Sequence, residues 1–166
     1  MHLTWSRMYR VLPPCVLLVS LRSWCNGWTT ARRSQKYPGR CWLCAGCEGQ
    51  DSLEHYFQCD TTWRFAWHYL RFPRPELPCQ TLLLLTRVPL EIQCLYAMLV
   101  YAIYNTRNNH YHNQFRPGDD EALRRIQESL RGLASRFGRC QQLLTSRRLA
   151  CACPSARFPG SPMPDV

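Results

Sequence analysis

Lysine is almost missing from this chain: Lys36 is the only one among twenty-one basic residues. Acidic residues are scarce as well, eleven in 166 positions, and none falls between Met1 and Arg40. The formal charge is +10 and the pI about 9.3. Arginine presents a planar donor fork suited to phosphate, so the excess points first to a nucleic-acid partner, with biased coding composition as the alternative. No apolar run reaches the ~18 residues that would suggest a membrane-spanning helix, and no internal repeat is present. The stretch Val11 to Leu21 has the outline of a short signal-peptide core, but Pro13 and Pro14 interrupt it, and it reads better as a buried helix or extended core segment. Eleven cysteines are an odd number, and five of them (Cys15, Cys25, Cys79, Cys94, Cys140) stand outside any cluster. That fits poorly with a disulfide-paired scaffold and predicts an intracellular protein, nuclear or cytoplasmic.

The chain divides by composition. Residues 1–40 form a basic N-terminal segment, in which Thr29 or Thr30 can cap a short helix from Ala31 until Pro38 and Gly39 end it. Residues 41–72 hold a cysteine-rich loop and then an aromatic helix, Trp63 to Phe72, stopped by Pro73. Residues 73–90 are a proline- and leucine-rich connector whose run Thr81 to Thr86 is ambiguous between strand and helical turn. Residues 91–150 contain two amphipathic helices. The first, Glu91 to Phe115, repeats Ile92, Leu95, Tyr96, Leu99, Ala102 and Ile103 at intervals of three and four, and then turns polar. The second, which Asp119 can cap, carries Leu123, Ile126, Leu130, Leu133 and Phe137. Residues 151–166 read as a disordered tail.

The segment CWLCAGCEGQDSLEHYFQC carries the chemistry. Cys41, Cys44 and Cys47 make two overlapping C-x2-C pairs, and His55 and Cys59 lie a helical turn apart, so a tetrahedron of three thiolates and one imidazole is available. Thiolates with one imidazole select zinc, and four protein ligands leave no open position, so one structural Zn2+ is expected. Five donors compete for four places. Cys44, Cys47, His55 and Cys59 are favoured because Gly46 lies in the knuckle and Gly49 just after it; Cys41 in place of Cys47 is the alternate. The expected fold is mainly α, with helices around this small zinc-knuckle loop and a possible short β-hairpin.

The run NGWTTARRSQ, then C-x2-C, then DSLEHYFQC, then aromatic residues around Trp63, resembles the zinc-binding segment that follows the polymerase in reverse transcriptases of non-LTR retrotransposons. The likeness covers roughly Leu12 to Leu70, and YAIYNTRNNHYHNQFR resembles what comes after that segment in some elements. The extra cysteine departs from the pattern. The resemblance implies a parent protein that copies RNA into DNA at a nicked target, and a segment that helps hold nucleic acid.

The polymerase itself would need aspartates for two divalent metals, usually in an aromatic-x-Asp-Asp turn. The only Asp pair, Asp119-Asp120, opens a helix instead, so no enzyme activity is expected of this chain. Arg32, Arg33, Lys36 and Arg40 are expected to contact the phosphates of RNA or DNA, largely independently of sequence. Neither a membrane nor a small-molecule substrate is expected. The rival reading is a zinc-stabilised protein-interaction module that offers Trp63, Phe65, Trp67 and Tyr69 to a partner. His110 and His112 are two apart on a helix and face different ways, which argues against a second metal site. Arg124, Arg125, Arg131, Arg136 and Arg139, interleaved with Glu121 and Glu128, read as a solvated face.

Overall fold

A computed structural model describes residues 2–33 and 39–152 of the chain. The architecture is mainly helical, and among the described residues there is no β-strand. In order the helices are α1 (His2–Tyr9), α2 (Pro14–Trp24), α3 (Leu53–Gln58), α4 (Asp60–Phe65), α5 (Pro78–Leu82), α6 (Leu90–His112), α7 (Asp119–Arg136) and α8 (Gly138–Ala152), with a π-helical turn, Ala66–Leu70, continuing α4. Among the described residues no helix is long and apolar enough to cross a membrane.

The middle of the fold is α6. Its residues 93–100 are all buried, apolar on every side but for Gln93, because α2 covers one flank, α7 another, and α1, α5 and α8 close the rest. The Val11 to Leu21 stretch resolves as helix α2. Pro13 ends the preceding turn and Pro14 occupies the first helical turn, where a missing N–H costs nothing. Val16, Leu17 and Val19 then face the core. The run Thr81 to Thr86 is helical only as far as Leu82, and Leu84 turns the chain at φ 59°.

Three expectations need correction. Residues Ala31 to Arg33 form a turn, not the start of a described helix, because Asp51 takes their amides: Ala31 N donates to Asp51 Oδ2 at 2.8 Å and Arg32 N to Asp51 O at 3.2 Å. The Thr30 hydroxyl does accept from Arg33 N, at 3.3 Å. Asp119 does not cap α7. Gly118 holds the cap position, and Asp119 is the first helical residue, where its carboxylate receives Arg64 at 2.6 Å. The second amphipathic segment is two helices, since the chain leaves helical geometry at Phe137 and α8 starts at Gly138. Residues 153–166, expected as a disordered tail, lie outside the described residues, while Cys151 and Ala152 end α8.

The aromatic face after the cysteine loop is used internally. Trp63 and Phe65 are buried, Phe65 stacks on Tyr69 at 4.7 Å, and Trp63 Nε1 donates to Phe57 O at 2.8 Å. The widened π turn then swings Trp67 outward, and it is 45% exposed. Arg71, at φ 56°, ends the helix two residues before Pro73. Of the four aromatics in the interaction-module reading, Trp63 and Phe65 are buried, Tyr69 is half-buried and Trp67 is exposed.

Candidate metal centre

The cysteine loop folds back on itself through one antiparallel bridge, Arg40 to Gln50, with Cys41 N donating to Gly49 O at 2.8 Å. That pairing is all the hairpin there is among the described residues, and it sets Cys41 at the root of the loop, opposite the start of α3. The loop tip is pinned to the turn before α7 by Ala45 N, which donates to Pro117 O at 3.0 Å. Ser52 caps α3: its hydroxyl accepts from His55 N at 3.1 Å, which orients the helix that carries His55 and leads into Cys59.

The sulphurs of Cys41, Cys44, Cys47 and Cys59 converge to within 4.8 Å of one another. Cys44 Sγ is 3.3 Å from Cys47 Sγ and 3.8 Å from Cys59 Sγ. Tetrahedral zinc with Zn–S bonds of about 2.3 Å sets its sulphurs about 3.8 Å apart, so the spacing suits such an ion. Cys41, Cys44 and Cys59 are buried and Cys47 is half-buried. The four cysteines together can hold a metal ion.

Cys41 belongs to this cluster, whereas the sequence reading favoured Cys44, Cys47, His55 and Cys59 and kept Cys41 as the alternate. The reason is local. Leu43 N points at Cys41 Sγ, 3.3 Å away, so a tight turn that aims amides at sulphur forms at Cys41 and not only around Gly46. His55 stands at the rim, its Nε2 3.3 Å from Cys47 Sγ. Gly49 permits this: a Cβ there would collide with the His55 imidazole.

The thiols perturb one another as expected for ligands gathered without carboxylates among them. Cys44 is held far below the ordinary thiol range, because Cys41 and Cys59 donate to its sulphur and the buried Thr61 hydroxyl assists. Cys41, as donor to the other three sulphurs and buried besides, is pushed far up. Cys47 is lowered to about 6, chiefly by the bond from Cys41 and, against burial, by the Gly49 amide. Cys59 is pushed up to about 12: the bond from Cys41 lowers it, but its bond to Cys44 and burial outweigh that. The shifts are thus mutual: protons held on Cys41 and Cys59 stabilise thiolate at Cys44 and Cys47, and a metal would bind in place of those shared protons.

Behind the loop lies a polar network that sequence reasoning missed. Arg107 of α6 and Asp51 of the loop are 0% and 1% exposed and meet at 2.7 Å. Arg107 Nη2 also donates to Thr29 O at 2.8 Å, and Tyr56 OH donates to Asp51 Oδ1 at 2.6 Å. His110, buried one turn on, has Nδ1 2.9 Å from Trp42 O, so its N–H donates to that carbonyl. Trp28, fully buried, packs edge-on against Phe57 and Tyr104. Residues 28–33 and the run DSLEHYFQC therefore meet around one arginine of the long helix. The signal was available: Arg107 and His110 continue the phase of Leu99 and Ile103 in polar residues.

Among the expected phosphate contacts, Arg32, Arg33 and Arg40 are exposed, and Arg32 pairs with Glu54 at 3.2 Å. Lys36 lies outside the described residues. Near the loop, Arg116 is exposed and sits 4.8 Å over the Trp42 ring, which meets Tyr111 edge-on at 5.5 Å. Arg124 and Arg125 are engaged with Glu121 and Glu128, as a solvated helix face should be. His112 is exposed and His110 is committed to Trp42, so the two do not combine into a second site.

No family model, no curated protein and no solved structure matches this chain.

Proposed function

We propose that this chain is a zinc-stabilised nucleic-acid-binding segment of the kind that follows the polymerase in non-LTR retrotransposon reverse transcriptases, without catalytic residues of its own. The observation that carries the reading is the convergence of four cysteines, with His55 beside them, in a loop braced by Asp51 and Arg107. All-thiolate or thiolate–imidazole donor sets suit Zn2+ better than the oxygen-seeking cations, and four protein ligands make the ion structural. Bound there, Zn2+ cross-links residues 41–59 and so fixes the loop against α6. Cys41, Cys44 and Cys59 hold three positions, and a fourth donor comes from Cys47 or His55.

The partner is read from charge and surface chemistry. A net charge of +10 draws polyanions. Arg33, Arg40 and Arg116 are exposed around the loop, and the Trp42 ring beside Arg116 offers a face of the sort on which single-stranded bases stack. Contacts of this kind neutralise phosphates without reading bases. The test is a titration of zinc-loaded protein with a single-stranded RNA and a single-stranded DNA of mixed sequence over a range of salt. Micromolar-range binding whose logarithm falls linearly with the logarithm of salt supports the reading. Binding that is absent at low salt overturns it.

A further inference from the structure

The loop gathers four thiols, the number a tetrahedral ion uses, and sets a fifth donor, His55, against one of them. Cys41, Cys44 and Cys59 are buried, and Leu43 N points at Cys41 Sγ. The other two donors, Cys47 Sγ and His55 Nε2, are half-buried and touch each other at 3.3 Å. They come from opposite sides. Cys47 sits in an irregular stretch between Gly46 and Gly49, whereas His55 stands on α3, its amide tied to the Ser52 cap and its ring laid against Gly49.

From this juxtaposition we infer that Cys47 and His55 are interchangeable fourth ligands, so that the centre holds four thiolates, or three thiolates and an imidazole, according to which of the two faces the ion, and that loss of either leaves the metal in place. The inference rests on the zinc reading above. The donor atoms already adjoin, so exchange needs side-chain rotation and a small shift of the glycine-flanked loop. Gly49, lacking a Cβ, accommodates the imidazole where it stands beside Cys47. Exchange alters the charge of the centre by one unit, from four thiolates to three, and frees a solvent-reachable thiol whenever His55 binds. A chain with a strict four-donor site would instead lose its metal with any one ligand.

The experiment uses the full chain loaded with zinc, and a parallel set loaded with Co2+. Native mass spectrometry and chelator competition are run on the parent, Cys47→Ser, His55→Ala, the double variant and Cys44→Ser. The expected result is one zinc in the parent and in both single variants, with affinity reduced about tenfold or less. The double variant and Cys44→Ser should lose affinity by about a hundredfold or more, the share of one ligand in a structural site. With Co2+, the thiolate-to-metal charge-transfer band should be as strong in His55→Ala as in an all-thiolate centre, and should fall by about a quarter in Cys47→Ser, as three thiolates replace four. A single variant as deficient as the double variant, with unchanged circular dichroism, would overturn the interchange and name the obligatory ligand. A parent that takes up no zinc at all would instead overturn the metal reading itself.

Discussion

Replacing Arg107 with methionine removes the cation from a buried pair while keeping much of the side-chain volume. Asp51 would then be left buried with Tyr56 OH and Ala31 N as its remaining donors, and Thr29 O would lose its bond from Arg107. Removing one partner of a buried ion pair costs about 3–5 kcal/mol, because the other charge stays uncompensated. Against a total stability of about 5–15 kcal/mol that is a large share. For a chain of this size it corresponds to roughly 6–20 °C of melting temperature. The assay is urea denaturation at fixed, saturating zinc, since bound metal adds its own stabilisation. Arg107→Lys should recover only part of the loss, because an ammonium cannot reproduce the fork that reaches both Asp51 oxygens and Thr29. The double variant Asp51→Asn/Arg107→Met should cost less than the sum of the single changes, with a coupling of about 1–3 kcal/mol. An Arg107→Met protein within about 1 kcal/mol of the parent, or strict additivity in the cycle, would refute the claim that this pair braces the loop.

Burial holds His110 below the ordinary imidazole value of 6.5, with Arg125 also disfavouring its charged form, while the Trp42 carbonyl and Glu121 oppose the shift. The unfolded chain takes up that proton as pH drops past about 6.5 and the folded chain does not, so this stabilisation is complete at neutral pH and is lost as pH falls through the lower folded value. Melting temperatures of the parent and His110→Gln should therefore converge or cross between about pH 7.5 and 5.5, thiolate protonation being common to both; a constant gap would count against it. Exchanging Arg33, Arg40 and Arg116 for glutamine should flatten the salt dependence of single-stranded RNA binding by roughly two units, at about 0.7 per phosphate contact. Unchanged slope and affinity would mean that these arginines are only solvated.

The helical architecture was legible because apolar periodicity is strong where packing is strong: Leu95, Leu99, Ala102 and Ile103 of α6, and Leu123, Ile126, Leu130 and Leu133 of α7, are all buried. The metal loop was legible because thiols at such spacing are rarely accidental. What escaped was decided by contacts across the chain. Arg107 and His110 sit in phase with the core stripe, but their residue types do not mark them as buried until Asp51 and Trp42 are brought against them. Cys41 could be ranked only once the Arg40–Gln50 bridge set it at the root of the loop. Ala31 has a good cap before it, and still loses its helical turn to Asp51, twenty positions away. Phe137 splits what periodicity joins, since the segment after Gly138 packs back on α7.

The central claim is that the cysteines of residues 41–59 hold one metal ion and that the ion organises the loop. Native mass spectrometry of the purified chain, before and after exhaustive chelation, addresses it directly. The account predicts a mass increment of one zinc in the untreated protein, its disappearance in Cys44→Ser and Cys59→Ser, and a loss of ordered structure by circular dichroism when the chelated protein is compared with the loaded one. A parent protein that carries no metal, or a chelated one as ordered and as stable as the loaded form, would contradict it.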